Sequence, residues 1–70
     1  MDVRHELGSR VKRLREAKGL SQEALAHNAD VHRTYVSGVE RGVRNPTVTV
    51  LEKLAGGLGV TLAELVTFEQ

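Results

Sequence analysis

The stretch DVHRTYVSGVERGVRN, Asp30 to Asn45, holds the side chains best suited to bind another molecule. Read as a helix at about 100° per residue with Arg33 as zero, Ser37, Arg41, Thr34 and Gly38 fall within an arc of about 140°. Val36 and Val39 fall on the opposite side, with Tyr35 at its edge. One side is apolar and anchors the helix. The other offers guanidinium groups, hydroxyls and a position with no side chain. It carries no acid, whereas a merely solvated face more often alternates Glu and Lys at i, i+4. Glycine inside a helix costs about 1 kcal/mol relative to alanine. Two readings of Gly38 stand: a tolerated, slightly destabilising residue, or close approach of another surface, such as a helix in the DNA major groove meets.

Other chemistries find little footing. Cysteine is absent, which excludes disulfides and thiolate metal sites. His5, His27 and His32 do not share a helix face, so no metal or other cofactor is expected. There is no Ser/His/acid set, no paired carboxylate and no phosphate loop. A chain of 70 residues is also short for enclosing a substrate pocket. The reading is therefore not an enzyme. The N-terminus MDVRHELGSR is charged and has no apolar signal core. The longest apolar run is three residues, too short for a membrane span. A cytoplasmic protein is the default expectation. Net charge is only +1. Its distribution says more: Arg33, Arg41 and Arg44 against Glu40 give +2 between Val31 and Asn45, while Glu52, Glu64 and Glu69 against Lys53 give −2 from Glu52 onward. That is a weak basic footprint for a polyanion.

These side chains need a scaffold, and the chain reads as five short helices without strands. Helix 1 is expected from about Val3 to Lys18, with Val3, Leu7, Val11 and Leu14 as one stripe at helical spacing. Asp2 caps its start, and Gly19 with Leu20 gives a Schellman ending. Helix 2 starts at the N-cap Ser21 and turns Leu25, Ala26 and Ala29 inward. After a turn at Asp30-Val31, helix 3 runs from about His32 to Arg41, and Gly42 ends it. Pro46 bars Asn45 from helical geometry, which makes VRNPT a loop. Thr47 caps helix 4, which buries Val48, Leu51, Leu54, Ala55 and Leu58 and ends at Gly59. Thr61 and Glu64 form a capping box for helix 5, whose Leu62, Leu65 and Val66 face inward. The expected fold is one all-α domain over residues 1–70, a compact five-helix bundle. Helices 2 and 3, joined by roughly three residues, have helix-turn-helix spacing over about Ser21 to Arg41.

At this point LREAKGLSQEALAHNADVHRTYVSGVERGVRNPTVTVLEKLAGGLGVTLAEL resembles the Cro/phage-repressor type helix-turn-helix family, also called XRE. The likeness spans about Leu7 to Val66. It is carried by LSQEALA entering helix 2, ERG ending helix 3, and the tail NPT followed by L..LA..LGV. Within the family, RTYVSGVERGVRN is most similar to the controller proteins of restriction–modification systems. The resemblance implies a lambda-repressor-like DNA-binding domain and a transcriptional regulator.

It also implies residue roles. The first exposed positions of helix 3, Arg33 and Thr34, would read base edges, with Ser37 and Gly38 one turn later. Arginine forks onto guanine O6 and N7. Arg44, in the loop after helix 3, would reach bases or phosphate. Phosphate contacts would come from Ser21 and Gln22 at the start of helix 2, where free N–H groups bind anions, and from Tyr35, Arg41 and Asn45 on the flanks. Arg15 and Glu40 would form a structural ion pair holding helix 3 at its docking angle. The chain departs from the family pattern at Asp30, where glycine is usual. It departs again at His32, a poor N-cap that opposes the helix dipole when protonated, so helix 3 is expected to start weakly. Gly56 and Gly57, where alanine is commoner, are expected to let helix 4 fray.

One recognition helix reads few base pairs, so a homodimer on a two-fold symmetric operator is expected. Leu62, Val66 and Phe68 are its interface candidates, with burial in the monomer core as the other reading. No small-molecule effector is expected, and control by concentration, as in an autoregulatory switch, fits instead. An antitoxin-type or phage-type repressor is the alternative within the class. A helical protein-interaction adaptor without DNA is the alternative outside it; it would want acidic or apolar residues where Arg33, Thr34 and Ser37 stand.

Overall fold

Caps and apolar stripes lay down five helices in the computed structural model, which describes residues 2–68. They are α1 (Val3–Ala17), α2 (Gln22–Ala29), α3 (Arg33–Glu40), α4 (Val48–Leu58) and α5 (Leu62–Leu65). No strand occurs among the described residues. Each helix begins on a side chain that accepts a hydrogen bond from a first-turn N–H. Asp2 accepts from Arg4, Ser21 from Ala24, Thr47 from Val50 and Thr61 from Glu64. The Glu64 carboxylate in turn accepts from the Thr61 N–H at 3.1 Å, closing the capping box.

The helix ends repeat one device. The N–H groups of Leu20, Val31, Val43 and Val60 reach back to the carbonyls of Arg15, Ala26, Gly38 and Ala55. This is the Schellman closure. Between α2 and α3 the left-handed residue is Asp30, at φ 56°. Asp tolerates that region better than most residues, and the turn keeps its form without glycine.

Leu7, Val11, Leu25, Ala26, Ala29, Val36, Val39, Leu54, Ala55, Leu58 and Leu65 make one continuous core. α2 packs on α3 and α4, and α1 crosses α3. The crossing is tight at Gly8, where a Cβ would come within 2.6 Å of the Glu40 carbonyl oxygen. α4 runs unbroken through Gly56 and Gly57 to Leu58 instead of ending early. Gly57 lies 3.0 Å from the Ala29 backbone nitrogen, measured from an added Cβ, while Gly56 faces open space.

Three expected core positions are not core. Val3 is 62% exposed, Val48 63% and Val66 41%. Val3 and Val48 are the first residues of their helices and stand clear of the neighbour that covers the next turn. Val66 follows a four-residue helix, α5, whose buried contact is made by Leu65 alone. Leu51 and Leu62 are half-buried. No helix among the described residues is long and apolar enough to cross a membrane.

Candidate nucleic-acid interface

α3 is locked in place by a partly buried polar network. Arg15 on α1 donates through Nε to Glu40 Oε2 at 2.6 Å and through Nη2 to Oε1 at 3.1 Å. Its Nη1 donates to the Leu20 carbonyl at 2.8 Å, and Gln22 on α2 donates to Glu40 Oε1 at 3.0 Å. The side chains of Arg15 and Glu40 are 11% and 4% exposed, and no buried side-chain nitrogen or oxygen among the described residues lacks a partner. Donation to the Glu40 carboxylate holds the Arg15 guanidinium above its ordinary pKa. One carboxylate thus ties α1, α2 and α3 together. A fork of this geometry sets angle as well as distance.

With α3 anchored by Val36 and Val39 on one side and Glu40 at its end, its other face opens outward. Ser21 and Gln22 at the start of α2, Arg33, Thr34 and Ser37 on α3 and Arg41 at its C-cap line one open concavity, together with Arg15 and Glu23. The sequence separates these residues, and the turn at Asp30 folds them into a single surface. Gln22 lines this concavity while its amide donates to Glu40, so it joins the start of α2 to the anchor of α3. Arg41 donates through Nε to the Ser37 carbonyl at 3.3 Å.

Arg44 and Tyr35 stand in a second group. The Arg44 guanidinium carbon lies 5.9 Å from the centre of the Tyr35 ring, within cation–π reach. Gly38 is buried and not outward-facing, because the Arg44 side chain lies across it; a Cβ there would overlap Arg44 Cγ. The close approach that the helical glycine serves is made by the chain itself. Asn45 is exposed in the loop between α3 and α4 and belongs to neither group.

The start of α3 differs from expectation as well. The His32 ring serves as a cap: Nδ1 accepts from the Thr34 N–H at 3.1 Å and lies 2.8 Å from Thr34 Oγ1. An unprotonated imidazole nitrogen has the lone pair that a capping oxygen would supply.

Sequence reasoning missed two residues here. Arg33 Nη1 stands 3.5 Å from Glu23 Oε2, an exposed pairing across the helix-turn-helix that no spacing within one helix reveals. Gly8 showed no signal, since a glycine in α1 becomes meaningful only where α3 crosses it. Of the interface candidates, Val66 is exposed, Leu62 half-buried, and Phe68 half-buried against the core.

Comparison with known proteins agrees with this geometry. Residues 11–65 match the family described as Helix-turn-helix. The chain is 46% identical over 65 residues to Control protein C.MunI of Mycoplasma sp, covering 91% of this chain and 88% of that protein. It is 41% identical over 68 residues to Control protein C.BamHI of Bacillus amyloliquefaciens, covering 96% and 84%. The solved structure of the restriction–modification controller protein C.AhdI from Aeromonas hydrophila matches with TM-score 0.87 at 47% identity, over 89% of this chain and 94% of that one. The hypothetical transcription factor NHTF from Neisseria matches with TM-score 0.92 at 40% identity, over 99% and 79%.

Proposed function

The chain belongs to the helix-turn-helix family, and on that premise we propose a sequence-specific DNA-binding transcriptional regulator of restriction–modification controller type, acting as a homodimer. The observation that carries this reading is the shared concavity of Ser21, Gln22, Arg33, Thr34, Ser37 and Arg41. It sets donors for phosphate beside donors and acceptors for base edges, on a helix anchored from behind.

α3 lies in the major groove, with Arg33 and Thr34 at its leading end and Ser37 one turn on. Arg33 forks onto a guanine, a contact worth roughly 1–3 kcal/mol of discrimination. Its loose exposed pairing with Glu23 is weak enough to exchange for a base. The free N–H groups of the first turn of α2, with Ser21 and Gln22, take a phosphate. Arg41, Tyr35 and Asn45 add phosphate contacts, and such contacts set register without reading sequence. Arg44, carried over Gly38 by Tyr35, reaches the base or phosphate beyond the end of α3.

Two copies on a two-fold symmetric operator place their recognition helices about 34 Å apart. Exposed Val66, with Leu62 and Phe68, supplies the dimer surface. Dimerisation and DNA binding couple by mass action, so the protein's own concentration sets occupancy of its operator. This is the behaviour of a cytoplasmic autoregulatory switch needing no cofactor.

Selection of bound sites from random duplex DNA, then titration of the winner in rising salt, tests this reading. A two-fold symmetric site is expected, with one guanine preference per half-site lost in Arg33→Ala. Enrichment of no motif, or equal weakening by Arg33→Ala on every sequence, would refute it.

A further inference from the structure

His32 and Thr34 make two contacts through one nitrogen, and together these fix where the protons are. The Thr34 backbone N–H lies 3.1 Å from His32 Nδ1, and a backbone N–H can only donate. Nδ1 therefore carries no proton, and the ring proton is on Nε2. Thr34 Oγ1 stands 2.8 Å from the same bare nitrogen. Two acceptors do not sit at that separation without a proton between them. The hydroxyl proton of Thr34 is thus turned toward His32. What Oγ1 has left for a partner is lone pairs.

We propose that His32 is a positioning residue that fixes Thr34 as a hydrogen-bond acceptor, so that Thr34 selects an amino-bearing base. In the major groove those are adenine, through N6, and cytosine, through N4; guanine and thymine present acceptors there. Thr34 is exposed on the concavity beside Arg33, so its lone pairs face the groove. Phosphate, which offers only acceptor oxygens, is a poor partner for it. The inference rests on the DNA-binding reading above. It divides labour at the start of α3: Arg33 donates to the base it meets, and Thr34 accepts from the next.

The test is base preference from site selection with the wild type, Thr34→Val, His32→Gly and His32→Asn, each checked for helicity and thermal midpoint. Glycine is tolerated as an N-cap, so His32→Gly frees the hydroxyl without abolishing the helix start. Asparagine restores an acceptor. The expected result is one position per half-site where wild type and His32→Asn favour A or C over G or T on the contacted strand, by about three- to tenfold. Thr34→Val and His32→Gly lose that preference and keep the guanine preference assigned to Arg33. If His32→Gly or Thr34→Val keeps every wild-type preference, the proposal is wrong while DNA binding stands. If the wild type enriches no motif, the DNA-binding reading fails and the proposal falls with it.

Discussion

Arg44 lies across Gly38 so closely that no Cβ fits between them, and its guanidinium carbon stands 5.9 Å from the centre of the Tyr35 ring. A residue of the loop after α3 is thereby laid back along α3. The helical glycine keeps a track open for it, and the aromatic ring supports its charged end.

Gly38→Ala separates stability from binding. Alanine gains about 1 kcal/mol of helix propensity, while Arg44, on a flexible stem, is forced off its seat. The variant is expected to unfold within about 1 kcal/mol of wild type yet bind its selected operator at least about tenfold more weakly, as loss of a base or phosphate contact implies. Thermal unfolding and operator titration check the pair. Unchanged affinity would show that Arg44 does not act from this position.

Neighbouring glycines in α4 should respond in opposite ways. Gly56 faces open space, so Gly56→Ala is expected to stabilise by up to about 1 kcal/mol, raising the thermal midpoint by roughly 4–8 °C. A Cβ at Gly57 meets the Ala29 backbone nitrogen at 3.0 Å and Leu25 Cδ1 at 3.1 Å. Overpacking there offsets the propensity gain, and Gly57→Ala should fall at least about 1 kcal/mol below Gly56→Ala. Calorimetry of the two variants decides it.

Gly8→Ala should be the most damaging alanine among these glycines. The added methyl meets backbone carbonyls of Val39 and Glu40, which cannot rotate away. A loss of about 2–3 kcal/mol is expected, read as a lower urea midpoint. Operator affinity should fall with it, because α3 must shift.

Removing one partner of the Arg15–Glu40 pair leaves a largely desolvated side-chain charge without its partner. Glu40→Ala is expected to cost about 3 kcal/mol or more, a large share of the ~5 kcal/mol of a small domain. The double variant Arg15→Met, Glu40→Leu should recover part of the loss, because no unpaired charge remains. A cost for Glu40→Ala below about 1 kcal/mol would place the pair with ordinary exposed bridges.

Acid should loosen the start of α5. The Thr61 backbone N–H, and then its side chain, hold Glu64 below its ordinary pKa of 4.5. A carboxyl depressed on folding contributes stability that is complete above its unfolded value and is lost as pH falls through the folded value. The thermal midpoint of the wild type should therefore drop more steeply below pH 4.5 than that of Glu64→Gln. Parallel pH profiles for the two would count against the capping-box contribution.

Much of this protein is legible in local sequence because its determinants act within a turn or two. Asp2, Ser21, Thr47 and Thr61 cap where their hydroxyl or carboxyl groups predict. The apolar positions of α2 and α3 bury as their spacing requires, and the Arg15–Glu40 pair forms as the resemblance implied. The ends of the stripes were less legible: periodicity counted Val3, Val48 and Val66 as inward, but a stripe says nothing about where the covering helix stops.

The sequence by itself determined the five helices, the caps of all but α3 and the polar outer face of α3, since hydrogen-bonding reach and helical period are properties of neighbours along the chain. Tertiary structure alone decided that Gly8 marks a helix crossing, that Gly38 lies beneath Arg44, that Glu23 meets Arg33 and that Gln22 joins the buried anchor of α3. These are relations between residues of different elements. They exist only once core packing has fixed the angle at which one helix crosses the next.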